Sequence, residues 1–504
     1  MRISLVMVVL TAALAGAFLA DRGDAVNGAQ STGYVIVYRG GQGVPADAAA
    51  SIGKARGTLT RALPQIGVAY ARSSDAGFAA KVSRDARVEA VGRNIGFRLI
   101  DSPADDGGTS DVVVTGGSGE EPLADLQWDM ELVNATADGS YAVQTGSHDV
   151  TVGIMDTGID GTHPDLAANY DAALSKSFVP EEPTPADLNG HGTHVAGIVG
   201  AAINGVGIAG VAPDVRLVAL KAGRSDGFFF TQAVVDAFVY AGEQGIDVVN
   251  MSFFADPFLY NCRNDPEQRA IWKAIKRASD FARQRGVALV AAMGNDNHDL
   301  AHPVIDEISP DYPPGNEVTR EVGNECVVIP NELPGVIGVS SVGPDGTKSF
   351  YSTYGLGVTD VTAPGGDSTQ RPNPFGRVLS SFSKDAPPAD VLFLLERNRV
   401  IQDPPGCVNA TTGVLAAGCV IWVYLQGTSM ASPHAAGVAA LIVAEHGTTS
   451  PIAVEAIMQR TAKEVPCPTP RTVSGLLGDA TCRGGGAHNG FYGHGLVDAL
   501  AAVE

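Results

Sequence analysis

One rhythm in the sequence restricts the fold more than any other feature. Residues 150–155, 215–220, 248–251, 287–292 and 336–342 are short, predominantly apolar runs without polar alternation, and 195–202, 231–244 and 271–285 between them have helical spacing. A strand that is apolar on both sides is buried on both faces, and the helices in its connections supply the cover. The pattern predicts an α/β fold: a mostly parallel sheet with helices on both faces.

The 504 residues leave room for a second, smaller unit ahead of this one. Residues 34–38 (YVIVY) read as a strand and 47–63, rich in Ala, as helical. Residues 66–72 alternate, 78–82 continue apolar, and 88–91 close the set as a last strand. This predicts a small α+β module over 33–100. Residues 101–121, rich in Asp, Gly and Ser, read as an exposed, cleavable linker, and 122–504 form the large domain. Three stretches break the rhythm, 255–266, 296–326 and 366–419. They carry four of the six cysteines and are expected to be surface insertions.

At the start, Arg2 precedes an apolar run over 3–20 and then Asp21 and Arg22, the layout of a secretory signal peptide over 1–20, cut after Ala17 or Ala20. An uncleaved anchor is the other reading of the same run. All six cysteines lie beyond it and none forms a C-x-x-C pair, which argues for disulfides over zinc in an exported chain, and pairing in sequence order is expected. A formal net charge of -21 excludes the phosphate-binding classes, because nucleic acid and anionic membrane need clustered Lys and Arg. The expectation is a secreted, soluble monomer that leaves the membrane with its signal.

Three segments carry chemistry. In Gly427-Thr428-Ser429-Met430-Ala431-Ser432-Pro433-His434 the serine opens an apolar helix, where free N–H groups favour a developing oxyanion. A lone serine there is ordinarily only a cap, so its company matters. His191-Gly192-Thr193-His194 opens a second apolar helix; without the Glu of H-E-x-x-H the pair does not suggest zinc, and His191 is the base while His194 is a core histidine. Asp156 ends the run 150–155 ahead of Thr157-Gly158, at the carboxyl end of a strand, where open α/β sheets place their ligand crevice. Asp-Thr-Gly also occurs in aspartic proteases, but no matching second segment is present.

Taken together, in the order Asp, His, Ser, these segments resemble the subtilisin-like serine proteases from about 121 to 504, and Gly493-His494-Gly495-Leu496-Val497-Asp498-Ala499-Leu500 resembles the family's last helix. The leading module resembles the family's inhibitory propeptide. The resemblance implies Asp156, His191 and Ser429 as a catalytic triad, with a neutral His191 and hence activity at neutral to alkaline pH, and Asn295 after Gly294 as the side-chain oxyanion donor. It implies protein and peptide substrates held as an added strand between Ser225-Asp226-Gly227 and Ser252-Phe253-Phe254-Ala255, where many relatives have Ser-Leu-Gly-Gly. It implies calcium at Asp165 with the loop residues Ala202, Asn204, Val206 and Ile208, and the chain's own propeptide as first substrate and inhibitor. A non-proteolytic binding protein on the same fold and a transpeptidase remain the alternatives.

Overall fold

The computed structural model describes residues 31–41, 43–94, 96–99 by backbone, 121–254, 258–310, 315, 317–447 and 450–504. The expected signal 1–20 and all of the expected linker except Glu121 lie outside the described residues.

The leading module is a four-stranded antiparallel sheet of β1 (Thr32–Tyr38), β2 (Thr58–Leu63), β3 (Val68–Ser73) and β4 (Val88–Arg93), in the order β2-β3-β1-β4, with helices α1 (Ala48–Lys54) and α2 (Phe78–Val82). Alternation along its strands divides the side chains. Tyr34, Ile36, Tyr38, Ala69 and Ala71 pack with α1 and α2, whereas Val35, Val37, Val68 and Tyr70 face the large domain. The stretch 47–63, read as helical throughout, divides into α1 and β2. Arg56 has a positive φ of 68°, and a Cβ on Gly57 would sit 2.3 Å from the Phe78 ring, so the helix stops and the chain passes tightly beneath that ring. Residues 78–82 form α2, not an extension of the strand before them: the Asp75 carboxylate accepts from Gly77 N at 2.8 Å and turns the chain into the helix. A fifth strand, β5 (Gly96–Leu99), leaves the module.

After the short helix α3 (Trp128–Leu132), the large domain is built on a seven-stranded sheet. It contains β6 (Thr151–Met155), β7 (Lys176–Ser177), β8 (Arg216–Lys221), β10 (Val248–Met251), β13 (Ala288–Ala292), β17 (Val336–Val342) and β18 (Val361–Pro364), in the order β18-β17-β13-β10-β6-β8-β7, and every pairing is parallel. The unalternating runs are thereby explained. Val152, Ile154, Leu217, Ala219, Val248 and Val290 point to the face carrying α4 (His191–Gly200) and α8 (Thr428–His446). Met155, Val218, Leu220, Val249, Met251, Leu289 and Ala291 point to α5 (Thr231–Gln244) and α6 (Pro266–Arg283). The leading module sits on α5 and α6. Helix α6 starts where Asp265 accepts from Glu267 N and Gln268 N ahead of Pro266 at the first turn, a strong start signal.

The remaining strands lie in and around the insertions. β9 (Phe228–Phe230) and β11 (Phe253–Phe254) flank β5. β12 (Tyr260–Cys262) pairs with β16 (Cys326–Val328), and β14 (Ile305–Asp306) with β15 (Arg320–Glu321). The Cys262–Cys326 disulfide thus joins the first two insertions, and Cys407–Cys419 closes a loop in the third, beside the sheet of β19 (Val378–Phe382), β20 (Val400–Asp403) and β21 (Val420–Leu425) and helix α7 (Pro388–Leu395). Cys467–Cys482 completes the pairing in sequence order, next to the hairpin of β22 (Thr472–Gly475) and β23 (Gly478–Thr481). Residues 493–500 are not helical. Gly493 and Gly495 adopt positive φ, and Leu496 and Val497 spend their N–H groups on Lys463 O and Thr362 O, so the segment is held as an extended tie between two parts of the domain.

Candidate active site

Asp156 follows the carboxyl end of β6, His191 is the first residue of α4 and Ser429 the second of α8, so one end of the sheet collects all three. His191 Nδ1 donates to Asp156 Oδ1 at 2.8 Å; the Asp156 side chain is fully buried and that of His191 is 12% exposed. The Thr157 N–H donates to the same carboxylate oxygen at 2.7 Å. With its proton fixed on Nδ1, the imidazole keeps its lone pair on Nε2, the form a general base needs.

Ser429 is placed by the sequence that follows it. Pro433 has no N–H to give to the carbonyl four residues earlier, which belongs to Ser429. Ser252 Oγ donates to that freed carbonyl at 2.9 Å, and Asn250 Nδ2 donates to Ser252 Oγ at 2.9 Å. Ser432 Oγ donates in turn to Asn250 Oδ1 at 2.6 Å, closing a buried ring of polar contacts between β10 and α8. Ser429 Oγ donates to Ser252 O at 3.3 Å.

Asn295 lies just beyond β13. Its Oδ1 accepts from Thr428 N at 2.9 Å and from Thr428 Oγ1 at 3.0 Å, and Thr428 Oγ1 accepts from Gly294 N at 3.0 Å. Because the Thr428 N–H can only donate, these contacts fix which end of the amide is oxygen and turn Nδ2 toward the Gly427–Ser429 turn. A Cβ on Gly427 would lie 3.1 Å from Nδ2, tighter than ordinary contact, so glycine here leaves the amide room to approach. A side-chain N–H and the N-terminus of α8 therefore converge where an oxyanion would form.

The sides of the cleft are β9 and β11, and β5 lies antiparallel between them. Phe228 stands opposite Arg98, Phe229 opposite Phe97, Phe253 opposite Leu99 and Phe254 opposite Arg98. Ser225, Asp226 and Gly227 form the turn entering β9, so the edge that pairs lies three residues further on. Ser225 O accepts from Asn189 Nδ2 at 3.0 Å, and Ser225 N donates to Glu182 Oε1 at 2.9 Å. Phe253, where many relatives have Leu, and Phe254, where they have Gly, both still pair with β5. Phe253 stacks on Phe229 with centroids 4.3 Å apart, and Phe254 enters the cluster of Ala292, Met293, Leu300 and Val328. Ala255 lies outside the described residues.

The family model of the subtilases matches residues 147–495, well over half of the chain and all four of these site residues. The chain belongs to the subtilase family. It is 30% identical to a thermophilic serine proteinase of Bacillus sp. (strain AK1) over 315 residues, 62% of this chain and 56% of that one. With subtilisin BL of Lederbergia lenta it shares 28% identity over 379 residues, 75% of this chain and 99% of that one. Among solved structures, the epidermin leader peptide processing serine protease of Staphylococcus aureus superposes with a TM-score of 0.66 at 20% identity, covering 94% of this chain and 98% of the other. Fervidolysin from Fervidobacterium pennivorans gives 0.61 at 21%, covering 95% and 62%. These two structural likenesses speak for the fold, and the family match makes the chain a subtilisin-type serine protease.

In this subtilase the leading module meets the catalytic unit through named contacts. Arg277 on α6 donates to Tyr38 O at 2.7 Å and pairs with Glu89 at 2.6 Å, Glu89 also pairs with Lys273, and Arg93 pairs with Glu267 at 2.6 Å. Asn94 Oδ1 accepts from Gln232 N at 3.1 Å in the first turn of α5. Asp236 of α5 is buried beneath the module with Arg61 Nε 3.1 Å away, and burial pushes its carboxyl up to about 6.

The residues expected to hold calcium come together only in part. Asp165 is buried; its Oδ2 accepts from Trp422 Nε1 at 2.7 Å and Ser381 Oγ at 3.1 Å, whereas Oδ1 is buried without a donor. Burial pushes this carboxyl up to about 7. Among the described residues, no backbone N–H donates to the carbonyls of Ala202, Val206 or Ile208. Asn204 is exposed and spends its amide locally, on Val206 N and Pro164 O. The sequence reading missed Glu121, taken there as the end of the linker. It is 1% exposed, its Oε1 accepts from Asn204 N and Gly205 N, and its Oε2 is buried without a donor. Two carboxylate oxygens without donors and three undonated carbonyls suit a hard, oxygen-seeking cation. His194 is buried as expected, with Nε2 donating to Val423 O at 2.9 Å and a pKa pushed down to about 3 by burial.

Proposed function

We propose that this subtilase is a secreted endopeptidase that cleaves peptide bonds through an acyl-enzyme and matures by cutting off its own leading module. Ser429 Oγ attacks the carbonyl carbon while His191 Nε2 takes its proton. Asp156 holds the imidazole and stabilises its charged form, and Asn295 Nδ2 with the Ser429 N–H receives the oxyanion. The leaving amine then takes the proton from His191, and water repeats the sequence on the ester. Protein and peptide substrates would add as a strand between β9 and β11, because main-chain pairing accepts any extended backbone.

The observation that carries the self-cutting reading is the register of β5. Leu99 stands opposite Phe253, and the residue just before β11 is Ser252, whose carbonyl is 3.3 Å from Ser429 Oγ, so β5 runs toward the nucleophile. Ile100 itself lies outside the described residues. The reading therefore sets the scissile bond at Ile100–Asp101, leaving the module of 33–100 as an inhibitor in its own product site. A tethered bond reacts at high effective concentration, so no outside protease is required. Three disulfides suit an oxidising compartment, and no helix among the described residues is long and apolar enough to cross a membrane. Asp165, Glu121 and the carbonyls of Ala202, Val206 and Ile208 would hold calcium, which would neutralise the two buried carboxylates.

The test is expression of the wild type and Ser429→Ala, each purified free of other proteases. The wild type yields a mature chain beginning at Asp101, and Ser429→Ala yields one chain that keeps residues 33–100. Cutting of Ser429→Ala at the same bond and rate would overturn the proposal.

A further inference from the structure

Four residues before His191 stands a second buried carboxylate, Asp187, which the catalytic scheme does not use. It is 0% exposed and its oxygens accept five hydrogen bonds. Oδ1 takes Thr157 Oγ1 at 2.9 Å, Asn189 N at 3.0 Å and Gly190 N at 2.9 Å, and Oδ2 takes Thr193 N at 2.9 Å and Thr193 Oγ1 at 2.6 Å. The donors come from the two places whose separation matters for catalysis. Thr157 follows Asp156 and gives its own N–H to the Asp156 carboxylate; Gly190 and Thr193 bracket His191.

Thr157 completes the link. Its hydroxyl proton is spent on Asp187, so the oxygen lone pair is free to accept, and Gly192 N donates to it at 3.0 Å. Glycine at 192 permits this approach: a Cβ there would lie 2.2 Å from Gly158 O and 3.2 Å from the Asp156 Cβ. Helix α4 is therefore pressed against the Asp156 turn at one point, and the carboxylate of Asp187 with the hydroxyl of Thr157 fills the contact. Ser383 Oγ donates to Asp187 O at 2.7 Å and fixes the loop from the far side. An ordinary helix cap serves one or two N–H groups of its own helix. This carboxylate also reaches across to the turn of a different strand.

We infer that Asp187 is a positioning residue for the triad: it sets the distance between Asp156 and the ring of His191. It touches neither substrate nor the reacting atoms and acts through Thr157 and the backbone of 190–193. In Asp187→Asn one acceptor oxygen becomes an NH2 group that faces N–H donors, so the clamp opens on one side while the volume is unchanged.

The inference rests on the triad reading, which Ser429→Ala tests separately. The decisive experiment compares Asp187→Asn, Thr157→Val and Thr157→Ser as mature enzymes on one peptide substrate, with a proton NMR spectrum of each for the downfield resonance of the His191 Nδ1–H bonded to Asp156. A positioning role predicts that Asp187→Asn lowers kcat by about 30- to 100-fold with KM within about threefold, and that the downfield resonance shifts or is lost in a folded protein. Thr157→Val moves both readouts in the same direction, and Thr157→Ser, which keeps the hydroxyl, restores them. Should Asp187→Asn fail to fold, the Thr157 pair decides alone. If both Asp187→Asn and Thr157→Val keep kcat and the resonance, or lose only thermal stability, Asp187 is merely a helix cap. Activity surviving in Ser429→Ala would instead remove the triad reading itself.

Discussion

Replacing Thr428 with Val keeps its shape and removes one oxygen, yet two partners depend on that oxygen. Gly294 N–H, 3.0 Å from it, would be buried without this acceptor, and Asn295 Oδ1 would lose the Thr428 hydroxyl while keeping the Thr428 N–H. The first loss costs about 1–3 kcal/mol of stability. The second removes one of the hydrogen bonds that hold the Asn295 amide, so its Nδ2 spends less time aimed at the oxyanion. Removing such a donor outright costs about 2.7–4 kcal/mol of transition-state stabilisation, a value taken from subtilisin, a member of this family, and carried over. Losing about half of it, roughly 1.4–2 kcal/mol, lowers kcat about 10- to 30-fold. KM should stay within about threefold, because β9 and β11 are untouched. The assay is steady-state kinetics of the mature enzyme on a chromogenic tetrapeptide amide, run as a double-mutant cycle with Asn295→Leu. Once Asn295 is gone, Thr428→Val should have almost no further effect on kcat. Strict additivity of the two losses, or an unchanged kcat in Thr428→Val, would refute the reasoning that the hydroxyl works through the amide.

Two further outcomes concern stability. Asp236 carries a folded-state pKa raised to about 6 against an ordinary value of 3.8, so its contribution is fully present below about pH 4 and is lost as pH rises through about 6, with a ceiling of about 3 kcal/mol. Urea melts of uncut Ser429→Ala should therefore fall in midpoint between pH 4 and 7, whereas Ser429→Ala with Asp236→Asn should fall by less and be the more stable of the two at pH 7.5; the opposite order there contradicts the burial argument. Chelation of the mature enzyme should lower Tm, and Glu121→Gln should reduce that response while leaving a folded protein. An unchanged melting curve on chelation, with no calcium found by elemental analysis, would return Asp165 and Glu121 to a plain structural role.

Much of the site was legible because its chemistry is tied to local sequence. Asp156, His191 and Ser429 each stand at the junction of an apolar run and a glycine turn, and the strand rhythm carries all three junctions to one end of the sheet. What stayed hidden depends on contacts distant in sequence. Nothing near Glu121 marks it as buried, since its partners Asn204 and Gly205 lie more than eighty positions away. Asp187 could have been noticed as a carboxylate just ahead of a helix start, but its bond to Thr157 cannot be read from spacing. The sequence showed that residues 252–255 depart from Ser-Leu-Gly-Gly but not where the rings of Phe253 and Phe254 go; their placement in two separate clusters follows from the stacking partner Phe229 and the insertion around Leu300. The closing segment 493–500 was expected as a helix only from its resemblance to the family's last helix; its glycines and its pairing with Lys463 and Thr362 hold it otherwise.

The proposed mechanism stands on Ser429 as the nucleophile, activated by His191 and Asp156. The most direct measurement is covalent labelling of the mature enzyme with a fluorophosphonate, followed by peptide mapping and a residual activity assay on the same samples. One adduct is expected, on Ser429 Oγ, rising to about one per chain as activity falls to zero, with labelling slowed by about three orders of magnitude or more in His191→Ala produced without its leading module. An adduct on any other residue, or full peptidase activity in protein labelled at Ser429, would contradict it.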